Sequence, residues 1–377
     1  MSIARTRVGV IGCGDVAHRR YFPALASLAD RVELVGCCDA RPEAAEQAAE
    51  AVRDWSPAVG AFTQVRDLIG ARPDAVFNLT PPPFHAEVTS QCLEAGINVF
   101  SEKPLASSVA EASSLIDAAR ARGLLLLCAP GSAATLRVRW LADVAASGVL
   151  GRPTLAVGQF AGFGPAGWDQ YTGDPTVFYG PKVGPVVDLG IYRLHEMTSV
   201  LGPVRRVQAV GTIAVPVRTV VAGRLAGSTI EVTAPDHVLM NLEFASGALG
   251  QVLSSFAVPE TEAPYLEVHF SGGSITLTGS PFDEPPAPHI HFLAAGPAGL
   301  AGSAGPASTA DRASSLPPLE PDPRSIIETG AAHFVACLRG DEKPVLTAEH
   351  ARHVLDIVLR AYESIEDGRS REIETTF

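Results

Sequence analysis

The chain has 377 residues, of which 46% are hydrophobic and 19% are charged. That balance is typical of a globular protein, and the length allows two domains that each bury an apolar core. The formal net charge of -12 opposes binding to nucleic acid or to an anionic membrane surface. The composition therefore favours a small ligand that is recognised specifically.

The six cysteines lie in apolar stretches, without a C-x-x-C pair and without histidines at zinc spacing. They predict buried thiols in a reducing cytosol and no metal site. The first residues lack the basic region and long apolar core of a secretion signal. The longest apolar run, residues 124–130, is too short to cross a bilayer. We therefore expect a cytoplasmic protein without a membrane partner.

The first third of the chain alternates β-branched runs with helical patterns rich in Ala and Leu. Buried strands are predicted at residues 8–11, 32–38, 75–79, 98–100 and 124–127. Helices are predicted between them at residues 17–29, 42–52, 84–95 and 109–122. Strict alternation predicts an α/β protein whose first domain, residues 1–130, is a Rossmann domain with a doubly wound parallel sheet.

Beyond residue 130 this alternation is lost. Helices are predicted at residues 136–147, 189–201, 326–339 and 348–367, and strands at residues 154–160, 207–213, 229–233, 237–244, 248–256, 266–270 and 274–277. Consecutive strands predict an α+β domain, residues 131–377, with a large, mostly antiparallel, open-faced sheet. Residues 297–323, rich in Ala, Gly, Ser and Pro, are expected to form a flexible surface excursion.

A glycine-rich string opens the first predicted helix directly after the first strand. It reads Gly12-Cys13-Gly14-Asp15-Val16-Ala17. Gly12 permits the tight turn, and Gly14 lets the backbone approach a pyrophosphate. The helix N-terminus offers N–H groups and a positive dipole end to the phosphates. In this context we predict a dinucleotide site that includes Asp15 and Val16; a glycine turn that binds nothing is the alternative.

The end of the second strand bears on the choice between NAD and NADP. Asp39 lies where an acidic side chain accepts hydrogen bonds from the adenosine ribose hydroxyls, which favours NAD. Arg41, two residues further on, is instead suited to a 2′-phosphate. We therefore predict NAD or NADP as cofactor, with NAD favoured; the alternative for Asp39 is a solvated residue at a strand end.

Three further segments carry a resemblance to a known family. They are Thr80-Pro81-Pro82 followed by His85, Glu102-Lys103-Pro104, and Asp188-Leu189-Gly190-Ile191-Tyr192. The first two follow strands, at the edge where ligands bind in open α/β sheets. With the glycine turn, in this order, they make the chain resemble the Gfo/Idh/MocA oxidoreductases, the family of glucose-fructose oxidoreductase and inositol dehydrogenase. The likeness covers essentially the whole chain outside residues 297–323.

The resemblance implies hydride transfer between NAD(P) and a carbinol or carbonyl carbon of a sugar, a sugar derivative or a polyol. Besides the glycine turn, it places the cofactor against Leu79, Thr80, Pro81, Pro82, His85, Glu102 and Lys103. It assigns Lys103 a position beside the nicotinamide, where an ammonium would stabilise a developing alkoxide. Without the motif, Lys103 would be interpreted as a surface lysine.

Asp188 and Tyr192 are four residues apart at a predicted helix start, so their side chains share one face and can converge on one ligand. The resemblance assigns acid–base catalysis to Tyr192 and positioning of substrate or lysine to Asp188. His195 shares the same face and is a candidate substrate ligand, as are Trp168 and Tyr179 in the preceding loop. A helix cap is the alternative for Asp188, and packing is the alternative for the other four residues.

Two other functions stay open. Some relatives use bound NAD to oxidise a sugar transiently and cleave its glycosidic bond, and others are NAD-binding sensors without catalysis. Lys103, Asp188 and Tyr192 argue against a sensor. Many relatives carry a run of glycines where this chain has residues 182–185, so the substrate cannot be carried over. Relatives pair the open sheet face, which implies a homo-dimer or homo-tetramer.

Overall fold

The computed structural model describes residues 5–171, 173–181, 183–279, 287–293 and 314–377. The chain forms two compact units. The first consists of Met1–Ala134, Ile326–Leu355 and Phe377, and the second of Thr135–Ser325 and Asp356–Thr376. In the described part of the chain, no helix is both long enough and apolar enough to cross a membrane.

The first unit is built on a parallel sheet. Its strands are β1 (Thr6–Ile11), β2 (Val32–Cys38), β3 (Gly60–Phe62), β4 (Ala75–Asn78), β5 (Asn98–Ser101) and β6 (Leu126–Cys128). They lie in the order β3-β2-β1-β4-β5-β6, and every neighbouring pair is parallel. The strand order reverses between β1 and β4, and open α/β sheets bind ligands at the carboxyl ends of the strands beside such a point.

Helices connect these strands. They are α1 (Phe22–Ala26), α2 (Pro42–Val52), α3 (Val65–Gly70), α4 (His85–Glu94) and α5 (Val109–Arg122). The hydroxyl of Ser108 caps α5 by accepting a hydrogen bond from the Glu111 N–H, and Gly123 ends the helix with a φ of 64°. Neither β3 nor α3 was predicted, because three and six residues are too few to show a hydrophobic period.

A helix from far along the chain completes the first unit. In α8 (Ile326–Leu338), the buried Phe334 ring lies 5.3 Å from the ring of Phe77 in β4 and 5.6 Å from that of Phe100 in β5. These aromatic contacts explain why residues 326–355 belong to this unit. The boundary predicted near residue 130 had assigned them to the second domain, so the compact units differ from that division.

The second unit is built on a larger sheet. Its strands are β7 (Pro153–Ala161), β8 (Val204–Thr212), β11 (His237–Phe244), β12 (Leu249–Ser255), β13 (Leu266–Phe270), β14 (Gly273–Leu277), β15 (His289–Phe292) and β16 (Arg371–Glu372). The order is β15-β14-β13-β7-β12-β11-β8-β16. All neighbours are antiparallel except β7 and β12. The predicted Rossmann sheet and mostly antiparallel second sheet are both confirmed.

Helices cover one face of this sheet. They include α6 (Leu136–Ser147) and α7 (Ile191–Leu201), and α7 packs on β7 and β12. A further helix, α9 (Ala348–Asp367), contributes residues to both units. Side chains alternate along β11, with Val238 and Met240 buried and Leu239 exposed. A separate two-stranded sheet joins β9 (Val217–Thr219) to β10 (Thr229–Glu231).

Part of the predicted surface excursion, residues 297–313, lies outside the described residues. Of the remainder, Pro317 is fixed to α6, because the indole N–H of Trp140 donates to its carbonyl oxygen at 2.8 Å. This contact was not expected for a flexible segment.

Candidate active site

The glycine turn after β1 is closed against the end of β4. Gly12 has a φ of 92°, and a Cβ added there would lie 2.6 Å from the backbone of Leu79 and Thr80. Backbone cannot move aside as a side chain can, so only glycine fits. A Cβ added at Gly14 would meet nothing within 4 Å. This open side of the turn is the space that a pyrophosphate needs, so the turn fits a dinucleotide.

The segment after Gly14 begins the first helical region with a π-helical turn, Ala17–Tyr21. Asp15 forms an ion pair with Arg19, with 2.5 Å between Oδ2 and Nη2. Val16 is partly buried and packs against the core of the first unit. Both side chains are thus engaged within the protein, so contacts from these residues to a phosphate would come from the main chain.

Asp39 lies beside the glycine turn, held by the N–H groups around it. Its Oδ2 accepts from the Cys13 N–H at 2.9 Å, and its Oδ1 accepts from the N–H and the Nε of Arg41, both at 3.0 Å. Burial acts to raise the pKa of Asp39, but the hydrogen bonds from Arg41 and Cys13 outweigh it and the pKa is lowered. The carboxylate is therefore charged at neutral pH, and the two side chains that were predicted to bear on the choice between NAD and NADP form an ion pair.

A buried hydrogen-bond network joins the ends of β4 and β5. Asn78, fully buried, accepts from the Thr80 hydroxyl at 2.7 Å and donates to the His85 carbonyl oxygen at 3.0 Å. The His85 ring bridges two backbone carbonyls: Nδ1 lies 2.6 Å from the Pro104 oxygen, and Nε2 lies 2.6 Å from the Thr80 oxygen. The network therefore fixes the Thr80 segment relative to the carbonyl of Pro104, the residue that follows Lys103.

Glu102 holds the main chain of Lys103 at its N–H group, on the N-terminal side of the residue. Its Oε2 accepts from the Lys103 N–H at 2.9 Å, and its Oε1 accepts from the hydroxyl of the buried Tyr21 at 2.6 Å. Lys103 itself is half-buried and is joined to Pro104 by a cis peptide bond.

The predicted cofactor residues of the first unit thus share one edge of the sheet. They follow β1, β2, β4 and β5 at their carboxyl ends: Gly12, Gly14, Asp15, Val16, Asp39, Arg41, Leu79, Thr80, Pro81, Pro82, His85, Glu102 and Lys103. Leu79 and His85 are buried, whereas Pro81 is exposed. Tyr21 was missed, because a tyrosine within an apolar helix carries no signal of its distant partner.

In the second unit, the predicted acid–base pair lies at the start of α7. Asp188 is in a π-helical turn, Val186–Gly190, which precedes the α-helix that carries Tyr192. Gly190 lies against Ser254 of β12, since an added Cβ would be 2.2 Å from its Oγ. π-Helical turns are frequent at functional sites. The α-helical spacing assumed from the sequence does not hold through this turn, although both side chains are on the same short segment.

Tyr192 is 9% exposed, and its ring lies 5.7 Å from that of Phe160 in β7. His195, 3% exposed, is on the same helix and its carbonyl oxygen accepts from the Ser199 hydroxyl. Asp188 is also buried. The second unit therefore provides a buried group of a carboxyl, a phenol and an imidazole along one helix.

The two aromatic residues predicted to bind substrate lie in a packed loop. Tyr179 is 1% exposed, its hydroxyl accepts from the Ala166 N–H at 2.9 Å, and its ring lies 5.5 Å from that of Phe256. Trp168 is half-buried and packs against the same cluster. The structure gives Tyr179 a packing role, and burial raises the pKa of its phenol.

Sequence reasoning missed a buried ion pair on α7. Arg193 is fully buried and lies 2.5 Å from Glu196, with its guanidinium over the rings of Phe160 and Tyr265 at 5.5 and 4.7 Å. Burial raises the pKa of Glu196 to about 7, although the positive charge of Arg193 opposes the shift. The sequence did contain a signal for this ion pair, because two oppositely charged residues lie three apart in a largely apolar helix. No group of three or more His, Cys, Asp or Glu side chains within the described ranges is placed to hold a metal ion.

Comparison with known proteins agrees with this architecture. A family model described as "Oxidoreductase family, NAD-binding Rossmann fold" matches residues 6–129, and a GFO/IDH/MocA C-terminal domain model matches residues 138–276. The chain belongs to the Gfo/Idh/MocA oxidoreductase family. As a member of this family it is an oxidoreductase with an NAD-binding Rossmann domain, and the predicted family is confirmed.

Several Gfo/Idh/MocA relatives are enzymes named for sugar substrates. D-glucoside 3-dehydrogenase of Escherichia coli (strain K12) is 28% identical over 74% of this chain and 78% of its own length. 1,5-Anhydro-D-fructose reductase of Ensifer adhaerens is 25% identical over 98% of this chain and 99% of its own.

Solved structures show the same fold. An NAD binding oxidoreductase from Klebsiella pneumoniae has a TM-score of 0.75 at 21% identity, covering 98% of this chain and 99% of that chain. The WlbA dehydrogenase from Bordetella pertussis, in complex with NADH and UDP-GlcNAcA, has a TM-score of 0.73 at 18% identity, covering 99% of each chain. At these identities the likeness shows the fold alone.

Proposed function

We propose that this oxidoreductase transfers a hydride between NAD(P) and a carbinol or carbonyl carbon of a sugar, a sugar derivative or a polyol. The observation that carries the proposal is the placement of Lys103 at the carboxyl end of β5, on the same sheet edge as the glycine turn, with its main chain fixed by Glu102. The names of the relatives that act on a glucoside and on anhydrofructose support a sugar as the substrate class.

The bound nicotinamide supplies or accepts the hydride. In the proposal, the Lys103 ammonium stabilises negative charge that develops on the substrate oxygen. The Tyr192 phenol donates or accepts the proton, and Asp188 orients the substrate or the lysine. The proposal requires Lys103 and Tyr192 to reach one substrate molecule. Within the second unit, packing on Phe160 holds the Tyr192 ring.

We propose NAD rather than NADP as the preferred cofactor. The charged Asp39 carboxylate lies beside the glycine turn, where it suits ribose hydroxyls and repels a 2′-phosphate. Arg41, the residue that would attract that phosphate, is already paired with Asp39. The proposed phosphate contacts are the main chain from Gly12 to Val16.

The test is a panel of glucosides, free sugars and polyols with NAD or NADP, followed at the absorbance of the reduced nicotinamide. With the best substrate, Lys103→Ala should lower kcat about a hundred- to a thousandfold, the range for loss of one group that stabilises an oxyanion, and leave NAD binding intact. Lys343→Ala, which alters an exposed lysine of the same unit, is the matched control. Unchanged turnover by Lys103→Ala would contradict the proposed role of the lysine.

The same panel separates the alternatives. Steady accumulation of NADH supports net dehydrogenation, whereas cleavage of a glycoside without net NADH would indicate transient oxidation. Binding of NAD without turnover of any substrate would indicate a sensor.

We further propose a cytoplasmic homo-dimer or homo-tetramer. Exposed apolar side chains on the second sheet, Val210, Leu239 and Leu249, support burial of that face between copies. The six free thiols are in keeping with a reducing compartment. Light scattering on the purified protein checks the assembly, since a mass near the 39.4 kDa of one chain would contradict it.

A further inference from the structure

His85 is a buried histidine with an unusual pair of neighbours. It is 1% exposed, and its two ring nitrogens each lie 2.6 Å from a backbone carbonyl oxygen, Pro104 for Nδ1 and Thr80 for Nε2. A carbonyl oxygen only accepts hydrogen bonds, and a neutral imidazole carries a single N–H. A neutral ring therefore satisfies one of these carbonyls and brings its bare nitrogen against the other.

A second buried histidine in the same unit shows the ordinary arrangement. The Nδ1 of His333 lies 2.7 Å from a carboxylate oxygen of Glu342, and its Nε2 accepts from the Val345 N–H at 3.1 Å. These two contacts, with one acceptor and one donor, match a neutral ring with its proton on Nδ1. The Cys337 sulfur, a weak donor, also lies 3.5 Å from Nε2. His85, with two acceptors, differs from His333 in needing two protons to make both bonds.

One of the two bonds of His85 holds the carbonyl of Pro104, the residue that follows Lys103. The Lys103 N–H is held by Glu102, and the carbonyl of the following residue, Pro104, is held by His85. Lys103 is thus fixed on both sides of its Cα. The other carbonyl that His85 contacts, Thr80, belongs to the segment proposed to line the cofactor.

The charges around His85 set when its second proton is bound. Burial lowers the pKa of His85, the carbonyl oxygens of Pro104 and Thr80 and the Glu102 carboxylate act to raise it, and the Lys103 ammonium lowers it. The net shift is downward. The ring therefore holds both protons at acidic pH and loses one as the pH rises through a value below 6.5, the ordinary value.

We infer that His85 is a positioning residue for Lys103, which joins the Thr80 segment to the carbonyl of Pro104, the residue after Lys103, and that this bridge is complete only when the ring carries both protons. His85 does not touch the substrate and acts through the backbone. The inference rests on the proposed function for the importance of Lys103, while the bridge itself rests on the two carbonyl contacts.

Kinetics give the first test. His85→Asn and His85→Gln each retain an amide donor that replaces at most one of the two bonds. At a pH below the titration of the wild-type ring, where both of its bonds are made, both variants should lower kcat about ten- to a hundredfold, since displacing a reacting group by about 1 Å can cost a hundredfold, and should leave the Kd for NAD within about threefold. His333→Asn is the matched control, a buried histidine outside the site, and should keep kcat within about twofold. Normal kcat in both His85 variants, or a Kd for NAD that rises as much as kcat falls, would overturn the inference.

A second test needs no turnover. The chain has three lysines, Lys103, Lys182 and Lys343, so the acetylation of each by acetic anhydride can be measured by peptide mass spectrometry. Nuclear magnetic resonance of ¹⁵N-histidine protein, assigned through His85→Asn, reports the protons on the His85 ring. In the wild type, the Lys103 to Lys343 reactivity ratio should change at the pH at which the ring titrates. The change should be absent in His85→Asn and kept in His333→Asn.

The outcomes separate the two proposals. A His85 ring with a single proton at every pH at which the protein is folded, or a reactivity ratio without a step in the wild type, overturns the bridge. If both signals are present but no sugar or polyol is turned over, the bridge stands and the proposed function fails.

Discussion

Each carboxylate oxygen of Glu102 has one partner, the Tyr21 hydroxyl or the Lys103 N–H. Tyr21 comes from the helical segment after the glycine turn, so one half-buried acid connects that segment with the residue after β5 that is the proposed catalytic lysine. At the scale of single residues, we expect this connection to contribute to the stability of the first unit and to the position of Lys103.

Tyr21→Phe removes one partner of Glu102 and keeps the aromatic packing on Phe77 and Phe100. A part-buried carboxylate oxygen then loses its donor, so we expect a loss of about 1–3 kcal/mol of unfolding free energy. Urea denaturation measures it. A midpoint equal to that of the wild type would mean that solvent reaches Glu102 and replaces the bond.

Tyr192→Phe should lower kcat about a hundred- to ten-thousandfold, the usual contribution of a proton donor or acceptor. The ring contact with Phe160 is retained, so the thermal midpoint should stay near that of the wild type. Steady-state kinetics with the best substrate of the panel give the answer. Full activity would remove Tyr192 from the mechanism.

Asp39→Ala should reverse the cofactor preference. It removes the acceptor proposed for the ribose hydroxyls and releases Arg41, whose Nε and Nη2 both bond to Asp39. We expect weaker binding of NAD and tighter binding of NADP, measured by calorimetric titration. Arg41→Ala is the paired variant and should keep NAD binding. An unaltered NAD to NADP ratio in Asp39→Ala would show that the carboxylate does not meet the ribose.

At the scale of elements, alanine substitutions at Gly12 and Gly14 should affect the stability of the glycine turn differently. Gly12→Ala forces a Cβ to within 2.6 Å of the Leu79 and Thr80 backbone at a positive φ, whereas Gly14→Ala meets nothing in the protein. We expect the first to destabilise the protein without cofactor and the second to leave its thermal midpoint unchanged. Both should weaken NAD binding, measured by titration. Equal stability of the two variants would contradict the close approach of β1 and β4.

Long elements with a clear period were predictable from sequence. Helices α2, α5, α6 and α9 have the predicted bounds, because their apolar spacing is clear. In α5 and α6 a capping side chain and a terminal glycine agree with that spacing. The π-helical turns Ala17–Tyr21 and Val186–Gly190 were not predicted, since a period of 3.6 residues assumes an α-helix throughout. The first of these turns begins at Ala17, the last residue of the glycine-rich string, and the second holds Asp188, so both departures lie at or beside predicted site residues.

For the candidate site, the sequence indicated which residues lie at the ends of strands but not which contacts their side chains make. Gly12, Asp39 and Lys103 follow strands, and strand ends can be located in the sequence. The ion pair of Asp39 with Arg41, the bridge made by His85 and the burial of Tyr179 depend on side-chain contacts that no local pattern encodes.

At the scale of the whole molecule, the stability should depend on pH through His350. This residue is buried, and its pKa is lowered to about 3 by burial and by the nearby His353. The unfolded chain takes up a proton near 6.5 and the folded protein only near 3, so the unfolded state holds more protons between these values. Unfolding free energy therefore falls as the pH is lowered through this window, by up to about 1.4 kcal/mol per pH unit.

His350→Gln should make this acid limb shallower, and His289→Gln, at an exposed position of β15, should not. The pKa of Glu196 is raised to about 7, so the folded state holds the extra proton and the unfolding free energy rises as the pH falls from 7 to 4.5. This contribution is the same in the wild type and in both variants. Urea denaturation from pH 4 to pH 7 measures the slopes. Parallel curves for the wild type and His350→Gln would contradict the burial of an uncharged imidazole.

The return of α8 to the first unit has a consequence for synthesis. A nascent chain that has emerged only as far as residue 134 holds every strand of the parallel sheet but lacks Phe334, whose ring fills the space against Phe77 and Phe100. Domains of most proteins fold in turn as they leave the ribosome. Here the earlier part of the unit must wait, with an apolar surface uncovered, until translation has passed residue 338.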